Sequence, residues 1–123
     1  MNLGTLIVSP RDHIVALADL GDTAAAELGP VLRDTARVVE ALCRPEQTYV
    51  SLWSHGADVR KHLHIAVQPV TADVVARYGG VRSEQLQARM LASGDEPDAA
   101  DVKRFCEQAR ELFLALTSGH GIS

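Results

Sequence analysis

Two histidines alternate with apolar residues in the run His62-Leu63-His64-Ile65, and their spacing limits the chemistry that they can perform. Side chains in a β-strand point to alternate faces, so His62 and His64 would share one face, about 7 Å apart. One imidazole could act as a nucleophile through a neutral ring nitrogen while a neighbouring group holds the other nitrogen. The pair could instead ligate zinc or another divalent metal, or could be polar residues on a solvated face.

A metal site needs further ligands beside this pair, because zinc sites usually have four. The nearby candidates are His55, Asp58 and Gln68, and His13 is the one other histidine that precedes them. No additional cluster of His, Cys or Glu follows in the sequence. We therefore place metal binding behind the other two uses and expect no metal ion and no other cofactor.

The turn before the histidines carries glycine and positive charge. Arg60 and Lys61 directly precede His62, and Gly56 lies in the same turn. Backbone amides and cationic side chains in such a turn can hold a phosphate group. Alone, Arg60 and Lys61 are more typical of a solvated turn, but beside the two histidines they favour a nucleophile that acts on a phosphate.

The composition of the chain excludes several classes of partner. Twelve basic and sixteen acidic residues among 123 give a net charge of −4, whereas a protein that binds a nucleic acid polymer normally carries a basic stripe. No apolar run reaches the roughly 18 residues of a membrane span. The N-terminus has no cationic segment before an apolar run, and Cys43 and Cys106 suit buried free thiols. We therefore expect a cytoplasmic protein with a small ligand.

Alternating and β-favouring runs predict the sheet that would position the histidines. Strands are predicted over residues 3–9, 47–53 and 62–70, and the last two are close enough in sequence to form a hairpin. The pattern as a whole predicts an α+β fold, an antiparallel sheet with helices packed on it. We expect residues 1–117 to form a single domain and residues 118–123 to form a flexible C-terminal tail.

Capping residues and helical periodicity predict the remaining elements. The first helix opens at Asp22, which we expect to cap the free amides, and Gly29-Pro30 either kinks this helix or divides it. Shorter helices are predicted from Thr71 and from Ser83, each ending at glycine. A long C-terminal helix begins near Pro97 and presents one apolar face.

An ordered series of segments resembles the histidine triad (HIT) family. The run GTLIVSPRDH, from Gly4 to His13, is similar to the family's strand that ends in proline, a basic residue and histidine. Ala18-Asp19-Leu20 is similar to the family's helix start, and the run HLHIAVQP from His62 is similar to its signature of histidines alternating with apolar residues. The segment that begins at Leu86 and includes the last helix is similar to the tail of some bacterial members. The order and spacing of these segments make the resemblance specific.

The resemblance implies a nucleotide-binding α+β domain of HIT-like fold, usually a homodimer. Such a domain acts at the α-phosphate of a nucleotide ester, phosphoramidate or dinucleoside polyphosphate. By position, the resemblance implies that His64 is the nucleophile that forms a nucleotidyl-histidine and that His62 orders the site. His13 corresponds to the histidine after the first strand, and Ser51 and Asp58 correspond to polar positions that contact the nucleotide or its phosphate.

Two positions depart from the family pattern. Ala66 stands in the place of the third histidine and cannot donate a hydrogen bond to a phosphate oxygen. Gln68, one step further along the same face, is the candidate substitute. Asp58 brings a negative charge to a position where an amide is expected. These departures keep a second hypothesis open, a catalytically weak or inactive HIT-like domain that binds nucleotides or dimerises.

The start of the chain bears on its expected assembly. The sequence begins at the motif strand, without the hairpin that family members carry ahead of it. A small core with an incomplete sheet gains from a partner subunit, so we expect a homodimer. The expected partners are therefore a nucleotide or nucleotide conjugate and a second copy of the chain.

Overall fold

Three short strands form an antiparallel sheet in a computed structural model that describes residues 1–52 and 62–118. β1 (Leu6–Val8), β2 (Gln47–Leu52) and β3 (Ile65–Val70) fall within the three predicted strands. β3 lies in the centre of the described sheet, with β1 on one side and β2 on the other. The antiparallel pairing of β2 with β3 is confirmed, whereas residues 53–61 of the segment that joins them lie outside the described ranges.

Four α-helices accompany the sheet within the described residues, which confirms a mixed α+β architecture. A turn of 3-10 helix over Leu17–Asp19 precedes the first of them. The helices are α1 (Asp22–Cys43), α2 (Ala72–Arg77), α3 (Ser83–Ser93) and the long C-terminal α4 (Ala99–Thr117). None of these helices is both long enough and apolar enough to cross a membrane.

The structure shows which residue caps α1 and whether the helix continues through its proline. α1 is a single helix of 22 residues that continues through Pro30, although proline brings no amide donor to the helix. The prediction that Asp22 caps this helix was wrong by one residue, because Gly21 occupies the cap position. Asp22 is instead the first helical residue, where its negative charge favours the N-terminal end of the helix dipole.

One face of the sheet packs against α1 and α4. Val38 of α1 forms a buried cluster with Phe105 and Ala109 of α4, and Leu6 of β1 packs against this cluster. Val38 is completely inaccessible to solvent. This cluster holds β1 against the two longest helices, so the segment that follows β1 starts from a fixed position.

The opposite face packs against α2 and α3. Val70 of β3 forms a second buried cluster with Leu86 and Met90 of α3 and with a valine of α2. The Thr71 side chain accepts a hydrogen bond from the Val74 amide, which confirms the predicted cap of α2. Because helices cover both faces, all six residues of β3 are buried.

Candidate functional site

The His62 ring is held through both of its nitrogens by the segment that follows β1. The Ile14 amide donates to His62 Nδ1 at 3.3 Å, so this nitrogen is the acceptor. His62 Nε2 lies 3.0 Å from the carbonyl oxygen of Pro10, which can only accept, so Nε2 carries the proton. His62 lies just before β3, and these two bonds fix its ring in one neutral tautomer.

The His64 ring is oriented by the backbone of His62. His64 Nδ1 lies 3.2 Å from the carbonyl oxygen of His62, so Nδ1 is the protonated nitrogen and donates this bond. In the neutral ring, His64 Nε2 then carries the lone pair, and it makes no hydrogen bond to any of the described residues. His64 is half-buried. A neutral, oriented imidazole with an available lone pair can act as a nucleophile or as a general base.

His13 follows the first motif strand in the sequence, and in the structure it lies against His62. The two ring centroids are 5.3 Å apart and the ring planes differ by 18°, so the rings stack. The backbone pairs at the same place, because the Leu63 amide donates to the Ile14 carbonyl at 2.8 Å. The structure therefore brings His13, His62 and the backbone that orients His64 into one region.

The predicted polar contacts Ser51 and Gln68 lie on the sheet face that α3 covers. Ser51 of β2 stands directly opposite Ala66 of β3, and Gln68 follows Ala66 on the same face. Gln68 is only 4% exposed, and its Nε2 donates to Asn2 Oδ1 at 2.8 Å. Ser51 Oγ accepts a hydrogen bond of 3.0 Å from Gln87 of α3. Both residues are thus tied to side chains that arrive from distant parts of the chain.

The sequence reasoning missed Asn2 and Gln87. Gln87 follows the buried Leu86 and precedes the buried Met90 by three positions, so helical periodicity already places it on the inward side of α3. That signal was available in the sequence, although it does not say what the side chain touches. Asn2 carries no such signal, because its contacts to Gln68 and to the Pro69 carbonyl join residues more than 60 positions apart.

Several predicted residues lie outside the described part of the chain. Asp58, Arg60 and Lys61 belong to residues 53–61, and so does His55, the nearest additional metal-ligand candidate. Within residues 1–52 and 62–118, no group of three or more His, Cys, Asp or Glu side chains is arranged to hold a metal ion. The predicted tail is described only as far as residue 118.

A cleft of about 620 Å³ adjoins the histidine segment. Its lining includes Leu63, which follows His62 in the chain, and Pro10 and Ile14, whose backbone groups contact the His62 ring. The apolar side chains of Leu28 and Ile65 contribute to its floor. This volume falls in the range that small-molecule sites usually have. Neither this cleft nor a second cleft of about 700 Å³ is lined by any of the predicted site residues within the described ranges.

Cys43 and Asp95, two of the groups with a displaced pKa, lie away from the histidines. Burial raises the pKa of the Cys43 thiol at the end of α1. A hydrogen bond from the Tyr78 hydroxyl lowers the pKa of Asp95, and Arg77 adds to this effect. Neither group contacts the described histidines, so their titration belongs to the stability of the fold.

Comparison with known proteins does not assign the chain to a family. No family model and no curated protein matches the chain.

Proposed function

We propose that this chain is a HIT-like nucleotide hydrolase or transferase that acts at the α-phosphate of a nucleotide conjugate. The observation that carries the proposal is the hydrogen bond from His64 Nδ1 to the His62 carbonyl oxygen. It leaves the lone pair on His64 Nε2, the atom that a covalent mechanism requires. The proposed substrates are dinucleoside polyphosphates, nucleotide phosphoramidates and nucleotide esters.

In the first step, the lone pair of His64 Nε2 attacks the α-phosphorus. The bond from phosphorus to the leaving group breaks, and its electron pair goes to that group. A leaving phosphate departs as an anion, whereas a leaving amine takes a proton from water. The imidazole ring becomes positively charged, so the hydrogen bond from Nδ1 to the His62 carbonyl strengthens as the intermediate forms.

In the second step, water or another acceptor attacks the phosphorus of the nucleotidyl-histidine. The nitrogen–phosphorus bond breaks, its electrons return to His64 Nε2, and the acceptor loses a proton to solvent. Nucleoside monophosphate leaves if the acceptor is water. Dividing one difficult displacement into two easier ones is the contribution of a covalent histidine.

The other residues of the site hold His64 and the substrate. His62 presents its carbonyl oxygen to His64, and the bonds to Pro10 and Ile14 keep that peptide in place. His13 supports the His62 ring from one side through stacking. Ser51 is the described candidate for a phosphate contact, and Gln68 supports it from the same face. Asp58 remains a phosphate contact in this proposal on the strength of the sequence resemblance alone, and Arg60 and Lys61 on the strength of the positive charge in their turn.

The proposal is tested with diadenosine polyphosphate and adenosine phosphoramidate as substrates and released AMP as the product. We expect the wild-type protein to form AMP and His64→Ala to abolish it. His120→Ala is the matched control, because no step of the mechanism uses that histidine. Rapid acid-free quenching followed by mass spectrometry should detect an adenylyl group on the peptide that contains His64. If the His64→Ala variant forms AMP as fast as the wild type, the mechanism is excluded.

A second candidate function is nucleotide binding without turnover. It is favoured by Ala66, which is 2% exposed and brings no proton donor to the face next to His64. Calorimetric titration with AMP and GMP separates the two functions. Tight binding with neither product nor adduct supports a binding domain, whereas measurable turnover eliminates it.

We also propose that the protein is a homodimer. Among the described strands, β2 lies at an edge of the sheet and exposes Val50 (52%) and Leu52 (39%). Exposed edges of this kind pair readily with another chain. Light scattering after size-exclusion chromatography should give a dimer for the wild type and a monomer for Val50→Lys. A monomeric wild type at micromolar concentration would contradict this assembly.

A further inference from the structure

Helix α3 brings an amide side chain onto the sheet beside Ala66. Gln87 Nε2 donates to Ser51 Oγ at 3.0 Å and approaches Gln68 Oε1 at 3.5 Å. Ser51 is paired with Ala66 across the strands, and Gln68 lies two residues beyond Ala66 on the same face. The amide of Gln87 therefore joins two neighbours of Ala66, whose small side chain leaves room for it.

A backbone carbonyl sets the direction of every hydrogen bond in this network. The Pro69 carbonyl can only accept, so Asn2 directs its amide nitrogen to it at 2.7 Å and turns Oδ1 toward Gln68. Gln68 must then donate from Nε2 to Asn2 Oδ1, which leaves its Oε1 facing Gln87. Gln87 consequently presents its nitrogen, and Ser51 Oγ is an acceptor in this bond.

This direction determines what the Ser51 hydroxyl can do. Because Oγ accepts from Gln87 and donates its proton to none of the described residues, that proton is available for another group. His64 lies two residues before Ala66, just ahead of β3, and Ser51 is paired with Ala66 across the strands. A phosphate group that reaches both side chains would place its phosphorus at His64 Nε2 and accept a hydrogen bond from Ser51 at one of its oxygens.

We propose that Gln87 is a positioning residue that orients the Ser51 hydroxyl toward an anionic phosphate oxygen of the substrate. The inference rests on the proposed function, because the phosphate is the one that His64 attacks. It also assigns a role to α3, which holds the network in place through the buried Leu86 and Met90.

The decisive variant is Gln87→Glu, which keeps the shape of the side chain and reverses its hydrogen bonding. A carboxylate accepts only, so the Ser51 hydroxyl would donate to it and no longer to the substrate. Hydrogen bonds to charged groups contribute enough that we expect AMP affinity and kcat/KM to fall about 10- to 100-fold. Gln85→Glu is the matched control, because Gln85 is exposed on the same helix and should change both by less than about twofold.

A double-mutant cycle with Ser51→Ala tests whether Gln87 acts through the serine. If it does, Ser51→Ala alone weakens AMP binding, and adding Gln87→Met produces no further loss. Losses that add in full would overturn the positioning role. Circular dichroism melting curves accompany each variant, so that a change in affinity is compared only between folded proteins.

The outcomes separate this inference from the proposed reaction. If the wild type forms the His64 adduct but Gln87→Glu binds AMP and turns over like Gln85→Glu, the role of Gln87 is overturned and the reaction stands. If the wild type binds AMP and Gln87→Glu weakens that binding, but the wild type forms neither adduct nor product, Gln87 keeps its role and the reaction is overturned. A wild type that does not bind AMP overturns both.

Discussion

Replacing Gly4 with alanine should strongly destabilise the protein, because Gly4 is buried in the turn that holds Asn2. Its φ of +93° lies in a region that side chains with a Cβ avoid, at a cost of about 1–3 kcal/mol. The added Cβ would lie 2.6 Å from Cys43 Sγ and 3.0 Å from Pro69 Cγ, and overpacking of this kind costs about 1–3 kcal/mol. The free energy of unfolding should therefore fall by about 2–6 kcal/mol.

This loss is large enough to measure by thermal and urea denaturation, followed by circular dichroism. For a chain of 123 residues, the usual unfolding entropy makes each kcal/mol equivalent to about 4 °C in Tm. We expect Gly4→Ala to melt about 8–24 °C below the wild type. Gly29→Ala is the matched control, because Gly29 lies inside α1 with open space around it and alanine there should stabilise by about 0.5–1 kcal/mol.

Cys43→Ala separates the two parts of the Gly4 effect. Removing Sγ eliminates the closest contact of the new Cβ but leaves the backbone conformation unchanged. Gly4→Ala and Cys43→Ala should therefore be non-additive, with a coupling of at least about 1 kcal/mol. Additivity within about 0.5 kcal/mol, or a Gly4→Ala variant as stable as the wild type, would refute this account of the turn.

Three further predictions concern the helices and the loop after α3. Leu86→Ala should cost about 2–5 kcal/mol in urea denaturation, because Leu86 is fully buried under the sheet, whereas Leu91→Ala, 74% exposed, should stay within about 0.5 kcal/mol of the wild type. Thr71→Ala should cost about 1 kcal/mol by removing the α2 cap, and serine at this position should restore most of it. Tyr78→Phe should lower Tm at neutral pH, because the Tyr78 hydroxyl depresses the pKa of Asp95 in the folded state. That contribution is present above the unfolded pKa of Asp95 and is lost as the pH falls through the folded pKa, so melting curves of the two proteins should converge in acid; a pH-independent difference would contradict it.

Local signals in the sequence were sufficient to predict most of the elements. Strict alternation predicted β3, the Thr71 hydroxyl predicted the start of α2, and Gly94 predicted the end of α3, where its φ is +66°. Each of these features depends on residues a few positions apart. The boundaries were less exact, because Gly21 rather than Asp22 caps α1 and β3 begins at Ile65, after His62 and His64.

The surroundings of the predicted site residues depended on distant packing. Alternation placed Ala66 and Gln68 on the face away from the aliphatic stripe of β3, but it could not predict that α3 covers this face. The position of α3 follows from the burial of Leu86 and Met90 against Val70. Gln68 is consequently buried, although its polarity alone would predict contact with solvent.

The sequence by itself predicted that His62 and His64 share one face of a strand, because that relation needs only the two-residue period of an extended chain. In the structure, both histidines lie just before β3. Only the tertiary structure decided which nitrogen of each ring carries a proton. The groups that fix the His62 ring, the Pro10 carbonyl and the Ile14 amide, lie 52 and 48 positions away along the chain. They reach His62 because the segment after β1 continues alongside it, and the oriented His62 peptide then leaves the lone pair of His64 on Nε2. Spacing alone can place two imidazoles on one face, whereas their tautomers depend on partners that the fold must bring to them.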